Sequence, residues 1–122
     1  MTAEANMAVL RRAIDTIFNR GDLAAADALI APDYVNRDAT PGQIGGPAGI
    51  KHVAALYRAA FPDLHLHIEE MLAVEDKVIV RVREEGTHRG PFLGAPPTGR
   101  RVCWTWIGIY RVRDGRLVER WG

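Results

Sequence analysis

Three side chains in this sequence have chemical types suited to moving a proton or holding a negative charge. They are Asp38, His88 and Arg120. A general base should have a pKa near the working pH, which a carboxylate or an imidazole reaches through burial and neighbouring groups. A guanidinium stays charged and presents a fork of donors to an anion. We predict these three residues as the catalytic group.

Each of the three also has a structural explanation. A lone histidine makes a site only with partners in reach, and His88 could equally brace the loop 86–99 through hydrogen bonds. Asp38 stands near glycine and proline, where aspartate commonly caps a loop. Arg120 would belong to a structural ion pair if a neighbouring glutamate lay beside it. The residue types leave both explanations open.

The stretch 102–110 reads VCWTWIGIY and predicts a strand, because bulky β-branched and aromatic side chains fit a pleated surface. Alternation places Trp104, Trp106 and Tyr110 on one face, together with Gly108. The missing side chain at Gly108 predicts a hollow between aromatic rings. Aromatic walls are typical of small-molecule pockets, so we predict these three residues as substrate-binding. Filling of the core or of a dimer interface is the alternative.

Arg37 follows a short extended segment at 34–36 and is predicted to contact the substrate. Its guanidinium could hold an enolate or a carboxylate through two parallel hydrogen bonds. A solvated surface arginine is equally compatible with the pattern.

Metal chemistry has little support in this sequence. His65 and His67 share one face of a predicted strand, but two histidines without a third ligand are a weak indication of a metal site. Cys103 lies on the face opposite the tryptophans and is interpreted as inert packing. We expect no metal site.

Hydrophobic periodicity divides the chain into a helical first half and a strand-rich second half. The predicted helices span 5–19, 23–30 and 47–61. A glycine- and proline-rich loop is predicted at 40–46, and the predicted strands span 64–69, 78–83, 102–110 and 117–121. This order predicts an α+β domain in which N-terminal helices pack in a curved antiparallel sheet. The open end of such a cone is a natural pocket.

The length of 122 residues predicts a single domain over 1–122. A formal net charge of +1 gives no argument for nucleic acid or a membrane surface as partner. No apolar run approaches the roughly 20 residues that span a bilayer, and no export signal is visible. A single cysteine excludes an internal disulfide, so we expect a cytoplasmic protein.

Short motifs across nearly the whole chain resemble those of the SnoaL-like polyketide cyclases. They are NRGD at 19–22, APDYV at 31–35, AFPD at 60–63, GTHRG at 86–90, PPTGR at 96–100 and YRVRDG at 110–115. The resemblance implies the nuclear-transport-factor-2-like cone. It also implies a homodimer formed through the outer face of the sheet.

The family's cyclases close a ring by aldol condensation without a cofactor, and they use an aspartate and a nearby histidine in the pocket. Matching on the shared Arg-x-x-Asp-Gly turn puts the histidine's place at Gly108 and the aspartate's place at Gly122. Neither residue type is present there. Asn36 and His88 match positions seen in the cyclases, so Asn36 joins the predicted substrate-binding residues.

These observations favour a cofactor-free enzyme of the cyclase or isomerase type that acts on a small hydrophobic carbonyl compound. The glycines at both acid–base positions motivate an alternative, a non-catalytic dimeric module that binds an apolar small molecule. A third interpretation is a dimerisation scaffold, which predicts a cone filled by its own side chains.

Overall fold

The computed structural model describes residues 2–39 and 42–122. There are three α-helices in the described residues: α1 (Ala3–Ala13), α2 (Ala26–Leu29) and α3 (Gly46–Ala60). Helix α1 continues as a π-helical segment (Ile14–Asn19), and a single 3₁₀ turn (Leu23–Ala25) precedes α2. The strands are β1 (Ile30–Asn36), β2 (His65–Val74), β3 (Lys77–Thr87), β4 (Arg101–Arg113) and β5 (Arg116–Trp121). The predicted loop at 40–46 begins at Thr40 and Pro41, which lie outside the described residues.

The helical half follows the predicted pattern with shifted ends. Thr2 caps α1, because its hydroxyl accepts a hydrogen bond of 3.0 Å from the Ala5 amide. The apolar stripe buries Leu10 and Ile17 against the sheet. The second predicted helix is shorter than expected and ends at Leu29, because Ile30 already belongs to a strand. None of the helices in the described ranges is long and apolar enough to cross a bilayer.

The sheet has five strands in the order β1-β5-β4-β3-β2. The extended piece predicted at 34–36 is the end of a seven-residue strand, β1, which pairs with β5 in parallel. The prediction of a purely antiparallel sheet is therefore wrong at this edge, although every other pair is antiparallel. Hydrophobic alternation indicates strands but carries no information on which edge a seven-residue strand joins.

The inner face of the sheet holds the core and turns towards the helices. Val78, Val80 and Val82 are fully buried, and the last two lie opposite Gly108 and Trp106 in the register of β3 and β4. The outer face of β4 is exposed. The two faces predicted for 102–110 are therefore confirmed, with the tryptophans inside.

Asn19 ties the end of the π-helical segment to the edge strand β2. Its side-chain oxygen accepts from the Leu66 amide at 2.7 Å, and its side-chain nitrogen donates to the Leu66 carbonyl at 3.1 Å. The side chain thus satisfies two backbone groups that an edge strand would otherwise leave unpaired. This contact fixes where the helical layer meets the sheet.

We expect Asn19→Ala to lower the free energy of unfolding by about 1–3 kcal/mol, because it leaves two partly buried backbone groups without partners. Asn19→Asp, which keeps the acceptor and loses the donor, should fall between the alanine variant and the wild type. Urea unfolding measures both. Equal stability of Asn19→Ala and the wild type would contradict this role.

Candidate functional site

A cavity of about 810 Å³ opens between the helices and the inner face of the sheet. Its volume lies in the range of small-molecule pockets. Its walls are mostly aliphatic and aromatic, with a small number of polar side chains among them. These polar residues include Tyr34, Asn36, Asp38, His52, Glu84 and Arg120. A cavity of this size contradicts the scaffold interpretation, which requires a cone filled by its own side chains.

Aromatic side chains form one end of this cavity. Trp104 packs against Phe61 with ring centroids 5.4 Å apart and against Tyr57 at 6.4 Å. Phe92, from the loop after β3, closes the group with its centroid 5.1 Å from that of Tyr57. Such a group offers flat apolar surface to a ligand.

Glu84 is the most buried acidic residue of the cavity and is not among the site residues predicted from the sequence. Only 5% of its surface is exposed. Its Oε1 accepts a hydrogen bond of 2.8 Å from the Trp106 indole. Burial raises the pKa of the Glu84 carboxyl above its usual 4.5, and the indole groups of Trp106 and Trp104 offset this only in part. The pKa of Glu84 is therefore shifted towards the range in which a general base works.

The alternation of β3 indicates that Glu84 lies on the inner face of the sheet. Val78, Val80 and Val82 point inward, and the same alternation carries Glu84 to the inner face. A charged residue at such a position is uncommon in a core. Its presence indicates either a satisfied ion pair or a functional carboxylate.

Arg120 lies on the cavity side of β5. Its Nε donates to the Tyr110 hydroxyl at 2.9 Å. The guanidinium lies 5.2 Å from the centroid of the Trp106 ring and 5.5 Å from that of Tyr110. In the described part of the chain no carboxylate oxygen lies within 4.0 Å of it, and Glu119 instead binds Arg37 and Arg111. Arg120 is therefore held by aromatic rings and a hydroxyl.

The hollow predicted at Gly108 is absent. A Cβ atom added there would lie 3.1 Å from the Trp106 ring, 3.2 Å from the Tyr110 ring and 3.5 Å from Nη2 of Arg120. The two rings and the guanidinium occupy the space above the glycine. Gly108 therefore makes room for Arg120 to lie between the aromatic side chains.

Asn36 and Asp38 both line the cavity at the end of β1. The Asn36 side-chain oxygen accepts from the Asp38 amide at 3.0 Å, which forms a local turn. The Asp38 carboxylate accepts from the Gly122 amide, so it also ties the end of β5 to this turn. The loop-capping explanation for Asp38 thus agrees with its contacts, although the exposed carboxylate remains at the edge of the cavity.

The structure places His88 outside the cavity lining. Its Nδ1 lies 3.1 Å from the Thr98 hydroxyl, and its backbone pairs with Gly99 and Arg100. The imidazole packs beside the Phe61 ring, with centroids 5.5 Å apart. Strand β3 ends at Thr87, so its inward alternation no longer directs His88. The bracing explanation fits these contacts, and the assignment of His88 to the cavity does not.

Arg37 also lies away from the cavity lining. Its Nε donates to the Glu119 carboxylate at 2.6 Å, and Arg111 binds the same carboxylate at 3.1 Å. Strand β1 ends at Asn36, so its alternation does not direct Arg37. In this structure Arg37 thus forms an ion pair that is half-exposed to solvent, and its predicted contact with a substrate stays a prediction.

Cys103 and His67 lie on the outer face of the sheet, away from the cavity. Cys103 is exposed and so does not serve as inert packing. His67 lies 2.9 Å from the Glu85 carboxylate, which also binds Arg83 and Arg101. Glu85, Arg83 and Arg101 form a network of ion pairs on the side of the sheet opposite the cavity, and His67 lies beside it.

Comparison with known proteins identifies the family. The model of the SnoaL-like polyketide cyclases matches residues 8–122. The chain belongs to this family. Nogalonic acid methyl ester cyclase from Streptomyces nogalater is 30% identical to it over 105 residues, which cover 84% of this chain and 78% of that protein.

Solved structures confirm the α+β cone of the SnoaL-like family. TsrD from Streptomyces laurentii matches with a TM-score of 0.89 at 24% identity, covering 99% of this chain and 88% of that chain. IdmH from Streptomyces antibioticus, a candidate polyketide cyclase, matches with a TM-score of 0.81 at 35% identity, covering 95% and 88%. The resemblance stated from short motifs is therefore confirmed at the level of family and fold.

We expect Glu84→Gln to stabilise this SnoaL-like domain near neutral pH. The pKa of Glu84 is higher in the folded protein than in the unfolded chain. Its contribution to the free energy of unfolding is therefore fully present below the unfolded-state pKa, and it is lost as the pH rises through the folded-state pKa. A neutral glutamine avoids that loss, which amounts to about 1.4 kcal/mol for each unit of pKa shift. Urea unfolding across a pH series measures the difference.

Glu119→Gln is the matched control, and its effect on stability near neutral pH should have the opposite sign. Arg37 and Arg111 lower the pKa of Glu119, so its contribution is present near neutrality and is lost on acidification. The control variant should be less stable than the wild type near neutral pH. A stability gain for Glu84→Gln that persisted unchanged in acid would contradict a raised pKa.

Proposed function

We propose that this protein is a cofactor-independent cyclase- or isomerase-type enzyme that acts on a small hydrophobic carbonyl compound, with Glu84 as its acid–base residue. The observation that carries the proposal is a buried carboxylate with a raised pKa in an apolar cavity, held by a hydrogen bond from the Trp106 indole. Membership of the SnoaL-like family supports ring-closing chemistry.

The proposed reaction moves one proton and forms one carbon–carbon bond. The Glu84 carboxylate removes a proton from a carbon next to a carbonyl group, and the C–H electron pair becomes that of an enolate. The enolate carbon attacks a second carbonyl carbon of the same molecule, and the carbonyl π pair moves onto oxygen. The resulting alkoxide takes the proton from Glu84. The steps are redox-neutral and return the carboxylate to its starting state.

The other cavity residues support this chemistry in binding roles. Trp104, Trp106 and Tyr110 supply apolar area for a flat molecule. The guanidinium of Arg120 offers positive charge to an anionic intermediate. Asp38, with its carboxylate held by the end of β5, shapes the edge of the cavity. Nogalonic acid methyl ester is the first compound to test, because a relative at 30% identity is named for its cyclisation.

We expect Glu84→Gln to lower the rate of α-proton exchange on a bicyclic ketone, β-tetralone, by about 100-fold to 10 000-fold, the usual loss for a general base. Proton NMR in deuterium oxide measures exchange without knowledge of the natural substrate. Glu85→Gln is the matched control, since it makes the same change one residue away on the outer face, and it should exchange at the wild-type rate. Wild-type exchange in Glu84→Gln would contradict the assignment.

A non-catalytic binding module is the second candidate function. It is favoured by Gly108 and Gly122, which stand where the resemblance expects the family's histidine and aspartate. In that case a polycyclic ketone would change the tryptophan fluorescence and be recovered chemically unaltered, and wild-type protein would not accelerate proton exchange.

We further propose that two copies of the chain pair through the outer face of the sheet. Leu72 and Ile109 both lie beside Ile79 in the strand register, and Ile107 extends the apolar patch along β4. Leu72 is 54% exposed and Ile107 is 58% exposed in the single chain. Apolar surface of this kind on a sheet face is typical of an interaction site.

We expect Ile107→Asp to convert a dimer into a monomer in sedimentation velocity, because pairing of the two sheets would bury a charge within the apolar patch. Leu93→Asp, at an exposed leucine in the loop after β3, is the control and should leave the oligomeric state unchanged. A wild-type protein that sediments as a monomer at all concentrations would contradict the proposal.

A further inference from the structure

The Tyr34 hydroxyl is a buried polar group that has no hydrogen-bond partner among residues 2–39 and 42–122. Tyr34 is 4% exposed, and it lines the cavity. Buried hydroxyl groups are nearly always paired, because an unpaired one loses its hydrogen bonds to water without replacement. An oxygen atom of a bound ligand would supply the missing partner.

Further donors line the same cavity as this hydroxyl. The Tyr110 hydroxyl accepts from Nε of Arg120 at 2.9 Å, so its oxygen is used and its own proton is available to a ligand. A guanidinium carries five N–H groups, and the described contacts of Arg120 use only the one on Nε. Tyr110 and Arg120 are the neighbours whose charges act on the ionisation of Tyr34.

The two tyrosines keep their protons at any ordinary pH. Burial raises the pKa of Tyr34 and that of Tyr110 above the usual range. Both hydroxyls therefore remain donors. Arg120 is held over the rings of Trp106 and Tyr110 and bonded to the Tyr110 hydroxyl, so its guanidinium is already positioned before a ligand arrives.

We propose that Tyr34, Tyr110 and Arg120 form an oxyanion subsite that binds the enolate or phenolate oxygen of a flat, conjugated ligand. The identity of the reacting enolate rests on the proposed function. Binding of a phenolate does not, because it requires no turnover. Hydrogen bonds to a charged oxygen are roughly twice as strong as neutral ones, so the subsite prefers the ionised ligand.

Two carboxylates oppose an anion in this part of the cavity. Asp38 acts on the ionisation of Arg120, and Glu84 acts on that of Tyr110. The donors of the subsite must outweigh both for the preference to appear. Glu84→Gln removes one opposing charge and should therefore strengthen the binding of an anion.

The test uses para-nitrophenol, whose phenolate is yellow and whose phenol is colourless. Absorbance titrations of free and bound probe give the pKa of each. Wild-type protein should bind the phenolate about 10-fold more tightly than the phenol, which lowers the pKa of the bound probe. Tyr34→Phe and Arg120→Met should each remove most of this preference, as expected for losing a hydrogen bond to a charged oxygen. Arg37→Met, which removes an arginine outside the cavity, should retain it.

Stability measurements separate a lost donor from a lost fold. Tyr34→Phe removes a hydroxyl without a partner in the described structure, so its thermal midpoint should equal or exceed that of the wild type. Equal binding of phenol and phenolate by the wild type would overturn the subsite. An undiminished preference in Tyr34→Phe would overturn it as well.

The two proposals fail in different ways. Glu84→Gln should abolish exchange on β-tetralone while it keeps or increases the phenolate preference. If the wild type prefers phenolate through Tyr34 but exchanges no ketone protons, the subsite stands and the proposed function falls. If exchange depends on Glu84 but the probe shows no preference, the proposed function stands and the subsite falls.

Discussion

The hydrogen bond between the Trp106 indole and the Glu84 carboxylate is the contact on which the site depends. Glu84 lies on the inner face of β3, where its neighbours are fully buried valines, and an unpaired carboxylate there would be strongly unfavourable. The indole groups stabilise the charge without bringing a cation beside it. The carboxyl therefore keeps a raised pKa, which a partner such as lysine or arginine would have abolished.

The same strand organises the rest of the cavity. Trp106 donates to Glu84 with its indole nitrogen and receives Arg120 on its ring face. Gly108 permits this arrangement, because a larger residue would push against the Trp106 ring, the Tyr110 ring and the guanidinium. The cavity thus separates a carboxylate from a guanidinium by aromatic side chains. Separation of this kind lets each group act on a ligand and keeps the two from neutralising each other.

Much of the fold was predictable because it depends on local patterns. Alternation in β3 and β4 accounts for the buried valines and for the tryptophans on the inner face. Glu84 obeys the same alternation, yet its role depends on two indole groups from a strand that lies some 20 residues further along the chain. The parallel pairing of β1 and the loop position of His88 likewise depend on contacts between distant segments. Residue spacing carries no direct information on such contacts.

The role of Glu84 depends on the pH at which its carboxyl group loses its proton, and NMR measures that pH. Carbon-13 labelling of the glutamate side-chain carboxyls gives a chemical shift for each residue as pH is varied, and the spectrum of Glu84→Gln identifies the signal of Glu84. We expect a titration midpoint above the usual 4.5, because burial outweighs the opposing effect of the indole groups. The midpoint should shift when para-nitrophenol fills the cavity. A midpoint at or below 4.5 that did not respond to the probe would contradict a buried acid–base residue in the site.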